Sequence, residues 1–472
     1  MILCFHAFLL SCFFVVLYLH MHTPNRKEPI ILLFGDFIIF FASLWIALLI
    51  RYFNFPNWKI LSEHLSPFTI LFLVWIFVFF IFGLYEKHTL ILKNKLPNII
   101  LNAQIMNSVI AMLFFYLIPY FGITPKTNLL IYLVISFLLI SLWRNYGIFL
   151  LGGTKKQNGI IIGSGEDVDE LEKEINNNER YSIKLIGLID PDKISNEEME
   201  AKILEFIQKT DISIVIVDMQ NKKLESMLFG FYSLIFSSKV HFVDLHKIYE
   251  EIFDRIPISL IKHSWFLENL SSYPKMMYNI LKRTMDIVIS FILGVVSLVF
   301  YPFVMLAIKL DDGGPIFIEQ NRIGKSNKEI KIVKFRTMNK DDKGKQCLKT
   351  GEDNNITRVG KILRKLRIDE LPQLWNILTG DLSLIGPRPE MPALVKIYEK
   401  EIPYYNARHL IKPGLSGWAQ LYQNTPPKFQ AQSEQTKIKL SYDLYYIKNC
   451  SIFLDLKVAL KTIKVLISRS GI

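Results

Sequence analysis

Long apolar runs dominate the first third of the chain. Each has close to the roughly 20 residues that an α-helix needs to cross the hydrocarbon core of a bilayer. The predicted helices cover residues 2–19, 30–50, 68–84, 99–121 and 129–151. The pattern therefore predicts an N-terminal transmembrane helix bundle over residues 1–151, with about five helices. Because residues 1–20 lack the positive region of a secretory signal, the first run is either an uncleaved helix or an over-extended gene start.

Basic residues between these runs predict the orientation of the bundle. Lys and Arg are concentrated before the second run, between the third and fourth runs, and after the fifth run. Short loops rich in Lys and Arg stay on the cytoplasmic side of a membrane. The part of the chain that follows residue 151 is therefore expected in the cytosol.

Residues 155–262 have a different pattern, in which short β-rich runs alternate with charged helical stretches. This alternation predicts a Rossmann-like α/β middle module. Gly163 and Gly165 begin a dinucleotide fingerprint, but Val168 occupies the third glycine position and Asp190 only loosely matches the expected acidic residue. The pattern favours a degenerate module with a structural or regulatory role, and nucleotide binding is the alternative.

A further apolar stretch, within residues 284–310, contains Pro302 and has basic residues on both sides. An ordinary sixth transmembrane helix would place the following basic domain outside the cell. A helix that breaks at Pro302 and returns to the same face keeps both basic regions on one side of the membrane. We therefore predict one re-entrant membrane helix at about residues 284–310.

Two adjacent carboxylates, Asp369 and Glu370, follow an amphipathic basic segment over residues 356–366. The spacing predicts that a second helix begins near Asp369 and ends at Gly380, with Leu371, Leu374, Trp375 and Leu378 as its apolar stripe. In the simplest interpretation the carboxylates only cap this helix. The alternative is chemical, because a helix N-terminus favours an ionised nucleophile and paired carboxylates suit Mg²⁺ bound to a diphosphate.

Composition and charge narrow the class of protein. Hydrophobic residues make up 51% of the 472 residues and the formal net charge is +12, while the mean hydropathy is +0.28. These values are typical of a membrane protein with anionic partners. Because the basic residues cluster beside hydrophobic membrane elements, lipid and phosphorylated substrates are expected as partners and nucleic acid is not. The four cysteines have no disulfide or zinc spacing.

Four consecutive segments between residues 278 and 472 carry a resemblance to a known family. They are DDGGPIFIEQNRIGKSNKEIKIVKFRTM, LRKLRIDELPQLWNILTGDLSLIGPRPE, RHLIKPGLSGWAQL and YDLYYIKNCSIFLDLKVALKTI. Together they resemble the bacterial sugar transferase family, the polyisoprenyl-phosphate hexose-1-phosphate transferases. The upstream helices and the α/β module resemble the polytopic branch, which primes exopolysaccharide, capsule or O-antigen synthesis.

The resemblance implies a fold and a reaction. The fold would be a membrane protein with an N-terminal transmembrane bundle, a Rossmann-like module and a mostly helical catalytic domain, residues 278–472, with the re-entrant helix. The reaction would move a sugar 1-phosphate from a UDP-sugar to undecaprenyl phosphate and release UMP, through a phosphosugar bound to the enzyme. The implied location is the bacterial inner membrane, with the catalytic domain on its cytoplasmic face. A homodimer is implied too, although no residue pattern marks an interface.

The resemblance also implies roles for individual residues. Asp369 would be the nucleophile, and Glu370 together with Asp369 would hold Mg²⁺ as cofactor. Pro302 would break the membrane helix. The residues implied to bind phosphates or substrate are Lys334, Arg336, Arg364 and Arg388, with Arg408, Lys412 and Asp443 as weaker candidates.

The sequence departs from the family pattern at one motif, and it leaves three other classes of function as alternatives. Where many members carry a Gly-Arg pair after GWAQ, this chain has LYQNTPP, which bears on the choice of sugar. A membrane nucleotide-sugar dehydratase or epimerase would use the YxxxK spacing of Tyr278 and Lys282, which we interpret as coincidence. A glycosyltransferase would release UDP instead of UMP. A non-enzymatic assembly scaffold would show no turnover.

Overall fold

The computed structural model describes residues 27–85, 96–117, 126–144, 157–178, 181, 183–210, 212–227, 231, 240–270, 276–338, 356–423 and 432–468. The chain divides into two compact units, Met1–Lys155 and Lys156–Ile472. The first unit is helical, and the second contains a parallel sheet and a larger, mostly helical region.

Four helices form the described part of the first unit: α1 (Lys27–Tyr52), α2 (Trp58–Ile81), α3 (Leu96–Leu117) and α4 (Lys126–Leu142). Their shared core is rich in aromatic side chains, among them Phe40, Phe72 and Trp75. Three spans, Ile31–Tyr52, Trp58–Ile81 and Pro97–Leu117, are long and apolar enough to cross a membrane.

The predicted runs and the observed helices differ at several ends. The run at residues 2–19 lies outside the described residues. Helix α2 begins ten residues before the predicted start at Phe68, because the helix passes through Pro67 and includes a polar first part. Helix α4 begins three residues before the predicted start at Leu129 and ends at Leu142, and residues 145–151 of the predicted run lie outside the described residues.

A buried ion pair joins α1 to the residue two positions after α4. Arg144 contacts Asp36, and both side chains are fully buried. Tyr85 donates to the same carboxylate at 2.9 Å, and Arg144 donates to the carbonyl of Leu84 at 2.6 Å. Arg144, which lies within the predicted run over residues 129–151, is therefore paired inside the helical unit.

The second unit begins with the α/β module. Its strands are β1 (Gln157–Ile162), β2 (Ile183–Ile189), β3 (Ile212–Val217) and β4 (His241–Asp244), and its helices are α5 (Glu166–Asn177), α6 (Asn196–Lys209) and α7 (Leu245–Phe253). Helix α8 (His263–Leu270) follows the module, and its Trp265 packs in the core of the mostly helical region. The strands form one parallel sheet in the order β2-β1-β3-β4. Alternate residues of β1 enter two different cores, Ile160 and Ile162 on one face and Ile161 on the other. The parallel sheet expected from the sequence is therefore present.

The glycine turn after β1 leads into an acidic helix start. Gly165 has a φ of +107°, which disfavours any larger side chain there. In the first turn of α5, Asp167 accepts hydrogen bonds from the backbone and hydroxyl of Ser259, the backbone bond measuring 3.0 Å. Ser259 lies in the 3₁₀ turn Ile258–Leu260. A diphosphate at this turn would meet carboxylates, so the geometry gives no support for dinucleotide binding.

The rest of the second unit is mostly helical. Its helices are α9 (Met276–Leu298), α10 (Tyr301–Asp312), α11 (Arg358–Lys365), α12 (Gln373–Thr379), α13 (Pro392–Glu401), α14 (Trp418–Tyr422), α15 (Ser433–Lys448) and α16 (Ile452–Ser468). An antiparallel hairpin joins β5 (Phe317–Ile323) to β6 (Glu329–Phe335), and a short parallel pair joins β7 (Ser383–Ile385) to β8 (Gly414–Ser416).

Helices α9 and α10 form a bent apolar pair. The two axes differ by 57° across a break of two residues, and Pro302 lies in the first turn of α10, where a missing N–H costs no hydrogen bond. Large apolar side chains along the pair are exposed, including Phe291, Phe303 and Leu310. An exposed apolar surface of this length is typical of contact with lipid or protein.

Polar side chains near the start of α9 attach this pair to the rest of the domain. Arg283 donates to the carbonyls of Ile377 and Leu378 at 2.6 and 2.8 Å, at the end of α12. Asp286 accepts a hydrogen bond of 3.0 Å from the backbone of Leu384. The bent pair is therefore bonded to the helix that follows the two carboxylates.

Candidate active site

Asp369 and Glu370 lie in the 3₁₀ turn Ile368–Glu370, directly before α12. Arg367 begins the turn in the left-handed region, with a φ of +54°. Leu371 and Pro372 keep a helical backbone, so the turn continues into α12, which ends at Gly380 with a φ of +98°. The predicted helix start and stop are present, but the first turn is 3₁₀ rather than α-helical.

The apolar stripe predicted for α12 needs a correction. Trp375 is 67% exposed, whereas Asn376 is buried. Asn376 accepts a hydrogen bond from the backbone of Val333 at 3.1 Å and donates to the carbonyl of Lys331 at 2.8 Å. This amide thereby bonds α12 to β6 and sets the strand beside the carboxylates. Its role was missed because the sequence shows only a polar residue between apolar ones.

Helix α11 reaches the same site through a close backbone contact. A Cβ atom at Gly360 would lie 2.1 Å from the carbonyl oxygen of Thr337, so only glycine allows this approach. Arg364 of α11 donates from Nε to the Thr337 hydroxyl at 2.9 Å. Arg364 is thereby positioned near Asp369. Burial raises the pKa of Asp369, and the charge of Arg364 opposes this rise.

Glu370 is the buried member of the carboxylate pair, and three cations surround it. Arg388 donates to its Oε1 at 2.6 Å and Lys334 donates to the same oxygen at 3.3 Å. Arg367 lies 3.9 Å from Oε2. Burial raises the pKa of Glu370, but Arg388 and Lys334 outweigh it and lower the pKa to about 2. Glu370 is therefore a permanent anion at neutral pH.

Asp369 is half-buried, and its carboxylate has no hydrogen bond or ion pair among the residues that the structure describes. Burial raises its pKa, and the negative charge of Glu370 raises it further, while Lys334, Arg364 and Arg388 oppose both effects. The result is a partly desolvated oxygen base in a positive field. Such an oxygen can attack an electrophile or bind a cation, because no group in the described part of the chain occupies it.

Arg336 is not brought to the carboxylates. Its guanidinium pairs with Asp312 and also donates to the carbonyls of Pro315 and Met338, at 2.7 and 3.2 Å. The side chain is 5% exposed. Because protein oxygens already occupy its donors, its expected role as a phosphate ligand has no support in this geometry. The contacts instead bond the end of β6 to the end of α10.

Arg408 and Asp443 are also expected substrate ligands, and the structure places both inside the domain. They form an ion pair of 2.9 Å with side chains that are 2% and 1% exposed. Arg408 also donates to the carbonyl of Arg388 at 2.9 Å. They therefore lie behind Arg388 and do not line an open surface. Two neighbours, Glu390 and Lys439, were missed by the sequence reasoning, although Glu390 ends the GPRPE motif.

Lys412 lies at the opposite end of α12 from the carboxylates. A Cβ atom at Gly380 would lie 3.4 Å from both Lys412 Nζ and Arg283 Nη2. Burial lowers the pKa of Lys412, and the charge of Arg283 lowers it further. Cations at this position are favourable beside the partial negative charge of a helix C-terminus.

The oxygens available to a metal ion belong to the same carboxylate pair. Among the described residues, no group of three or more His, Cys, Asp or Glu side chains could hold a metal. Mg²⁺ commonly needs only one or two protein carboxylates when substrate phosphates supply further oxygens. Both oxygens of Asp369 and Oε2 of Glu370 are without a hydrogen bond in the described part of the chain. This set fits Mg²⁺ that arrives with a diphosphate.

A family model described as "Bacterial sugar transferase" matches residues 277–469. A protein from Rhizobium leguminosarum bv. phaseoli named "Exopolysaccharide production protein PSS" is 39% identical over 189 residues, which are 39% of this chain and 94% of that protein. The chain belongs to the bacterial sugar transferase family. The match contains the hairpin, both carboxylates and Arg388.

Two further relatives of this sugar transferase carry more specific names. The "UDP-N-acetylgalactosamine-undecaprenyl-phosphate N-acetylgalactosaminephosphotransferase" of Aeromonas hydrophila is 44% identical over 207 residues, 43% of this chain and 47% of the relative. The "UDP-glucose:undecaprenyl-phosphate glucose-1-phosphate transferase" of Escherichia coli (strain K12) is 36% identical over 185 residues, 39% of each chain. The matched part thus spans less than half the length of either relative.

Proposed function

We propose that the chain is an initiating phosphoglycosyl transferase, which moves a sugar 1-phosphate from a UDP-sugar to undecaprenyl phosphate and releases UMP. The observation that carries the proposal is the half-buried carboxylate of Asp369, which has no partner among the described residues and lies beside the cation-bound Glu370. Membership of the sugar transferase family and the names of its relatives support the two substrates. The product would prime the synthesis of a surface polysaccharide.

In the first step, an oxygen of Asp369 attacks the sugar-bearing phosphorus of the UDP-sugar. A bond forms between that oxygen and phosphorus, and the bond to the bridging oxygen of the diphosphate breaks. UMP leaves with the electron pair of that bond. The sugar phosphate stays attached to Asp369 as an acyl phosphate, which is a recognised form of nucleophilic catalysis by carboxylates.

In the second step, a phosphate oxygen of undecaprenyl phosphate attacks the phosphorus held on Asp369. A diphosphate bond forms, and the Asp369 carboxylate leaves with its electron pair. Both steps shift negative charge between phosphate oxygens, so fixed cations around the reacting phosphorus lower the barrier. Lys334, Arg388 and Arg364 are the cations of this site that the structure brings near Asp369.

Asp369 and Glu370 would hold Mg²⁺ as cofactor. When bound, the ion would neutralise part of the diphosphate charge. Glu370 also fixes Arg388 and Lys334 in the absence of substrate, because one oxygen accepts hydrogen bonds from both cations.

The bent pair α9 and α10 would place this site at the surface of the bilayer. Its exposed apolar side chains are the surface that a re-entrant helix would bury in lipid, with Pro302 just after the bend. Ile362 and Leu366 on α11 and Trp375 on α12 are exposed as well, as expected for helices that rest on a membrane. The charge pattern of the loops supports the cytoplasmic face of the inner membrane.

Product analysis tests the proposal directly. The detergent-purified chain would be given undecaprenyl phosphate, Mg²⁺ and a panel of UDP-sugars that includes UDP-glucose and UDP-N-acetylgalactosamine, the sugars in the relatives' names. UMP release that requires lipid phosphate for repeated turnover would support the proposal. UDP release would indicate a glycosyltransferase and would contradict it.

The alternative of a nucleotide-sugar dehydratase or epimerase receives no support from the site. Tyr278 and Lys282, which provide its YxxxK spacing, both contact Asp455, at 3.0 and 2.8 Å. Tyr446 also accepts a hydrogen bond from Lys282 at 3.2 Å. These contacts attach α9 to α15 and α16. NAD-dependent turnover of a UDP-sugar would favour this alternative.

A further inference from the structure

A second group of charges lies directly behind Arg388. It consists of Glu390, Arg408, Lys439 and Asp443, which we call the charge quartet. The side chains of Arg408, Lys439 and Asp443 are 2%, 9% and 1% exposed, and that of Glu390 is 15% exposed. Two cations and two carboxylates are thus enclosed together, with no net charge.

The quartet has a direct contact with the active site. Arg408 uses one nitrogen, Nη2, both for Asp443 and for the carbonyl oxygen of Arg388, at 2.9 Å in each case. Its other nitrogen, Nη1, donates to the hydroxyl of Tyr405 at 2.7 Å. The backbone of Arg388 is therefore fixed by the same guanidinium that Asp443 and Tyr405 hold in place.

Lys439 controls how Glu390 interacts with Arg408. Lys439 pairs closely with Oε1 of Glu390, and the same oxygen lies 3.7 Å from Nη1 of Arg408. The charges of Lys439 and Arg408 outweigh burial and lower the pKa of Glu390 to about 2. Without Lys439, Arg408 would still lie within ion-pair distance of this anion, which would draw the guanidinium away from the Arg388 carbonyl.

A contribution to the stability of the fold is a weak explanation for burying the charge quartet. Burying charges costs desolvation free energy, and replacing a buried ion network by apolar residues of similar volume is often neutral or stabilising. Ion pairs that share one guanidinium, as those of Arg408 do with Glu390 and Asp443, restrict where that guanidinium can lie. The arrangement is therefore better suited to fixing the position of Arg388 than to stabilising the fold.

We propose that Glu390, Lys439, Arg408 and Asp443 are positioning residues that hold Arg388 in register with Glu370 and the reacting phosphate. The proposal rests on the proposed function for its catalytic consequence. It changes the expected role of Arg408 and Asp443 from substrate ligands to supports of Arg388. It also adds Glu390 and Lys439 to the residues on which transfer depends.

The chain offers a matched pair of variants on one helix. Lys439 and Lys448 both belong to α15, and each pairs with a glutamate. Lys448 contacts Glu250 of the α/β module at 2.6 Å and does not belong to the quartet. We expect Lys439→Met to lower kcat by about 10- to 100-fold, since small displacements of a positioning group have effects of this size. Lys448→Met should keep kcat within about 2-fold.

Two combined variants separate positioning from general damage. If Lys439 acts through Arg388, adding Lys439→Met to Arg388→Ala should lower kcat by less than about 2-fold further. Glu390→Gln with Lys439→Met leaves no unpaired carboxylate to attract Arg408. This variant should therefore recover at least about 5-fold of the activity lost in Lys439→Met. Multiplicative losses in either combination would overturn the proposal.

Hydrogen exchange measures the same effect without any turnover. The amides of Ile385, Gly386, Arg388 and Glu390 should exchange about 10-fold faster in Lys439→Met, about 3-fold faster in the Glu390→Gln/Lys439→Met variant, and at the wild-type rate in Lys448→Met. If Lys439→Met does not fold, the exchange measurement is made on the double variant instead. Unchanged exchange in a folded double variant would overturn the positioning role. A wild-type chain that releases no UMP would instead contradict the proposed function, while the exchange result would still decide the positioning role.

Discussion

Two acidic turns in this chain have the same sequence character and different surroundings. The first turn of α5 contains Asp167, and the turn before α12 contains Asp369. Both turns follow a residue with positive φ, Gly165 in one case and Arg367 in the other. On sequence alone, either pair of carboxylates could simply favour the positive end of a helix.

The partners of the carboxylates distinguish the two turns. Asp167 accepts hydrogen bonds from Ser259 and from Tyr249, and the nearby Glu170 pairs with Arg255 and accepts a hydrogen bond of 2.9 Å from Tyr249. Protein donors therefore occupy the first turn of α5. At the second turn only Glu370 is occupied, and Asp369 is unpaired within the described residues. The comparison indicates that an acidic turn can react or bind a ligand where one of its carboxylates has no partner among the described residues.

The largest expected effect comes from an Asp→Asn substitution at the active-site turn, compared with the same substitution at the other turn. Asp369→Asn replaces the nucleophilic carboxylate by a neutral amide, so transfer should fall by at least about 10³-fold. Asp167→Asn is the matched control and should keep transfer within about 2-fold. The measurement is UMP release per folded protein. Equal losses in the two variants would mean that both turns are structural.

Glu370→Gln should have the next largest effect. It removes the anion that orders Arg388 and Lys334, and it removes one carboxylate available to Mg²⁺. We expect kcat to fall by about 10²-fold, comparable to the loss of one charge-stabilising group. Glu170→Gln is the corresponding control at the first turn. Activity near the wild-type level in Glu370→Gln would show that Arg388 and Lys334 do not need the Glu370 carboxylate to hold them in position.

The pH dependence of transfer should sharpen the contrast further. Asp369 must be ionised to attack, and its pKa is raised, so kcat/KM should fall as the pH drops through that raised value. Lys334→Met removes a charge that lowers this pKa and should move the acid limb to higher pH. Glu370→Gln removes a charge that raises it and should move the limb to lower pH. Shifts in the opposite directions would exclude Asp369 as the titrating group.

The smallest effect is expected at the occupied turn. Ser259→Ala removes the hydroxyl that donates to Asp167 and should lower the free energy of unfolding by about 1 kcal/mol. Transfer by the folded protein should not change. Thermal unfolding followed together with UMP release tests this expectation. A stable variant with impaired transfer would indicate that the α/β module acts on the active site.

The sequence predicts the backbone around the site better than the partners of its side chains. Three features depend only on local periodicity and backbone preference. They are the basic amphipathic helix, the two carboxylates at the start of the next helix, and the helix end at Gly380. Observed helix ends at Lys365 and Thr379 agree with these patterns. Local rules therefore suffice for this part of the fold.

Arginine roles depend on residues that are far away in the sequence. A guanidinium binds a phosphate and a carboxylate through the same donors, so residue type cannot distinguish them. Arg336 pairs with Asp312, and Arg408 pairs with Asp443, while Arg388 contacts Glu370, the neighbour of Asp369. Only the tertiary structure separates the two buried supports from the residue at the site.

Formation of the covalent phosphosugar is the most direct test of the central claim. Protein would be mixed with the responding UDP-sugar and Mg²⁺ without lipid phosphate, quenched, and digested with trypsin. The account predicts about one UMP per active site and the mass of one sugar phosphate on the peptide of residues 368–396, both absent in Asp369→Asn. UMP release that occurs only with lipid phosphate, and an unmodified peptide, would contradict it.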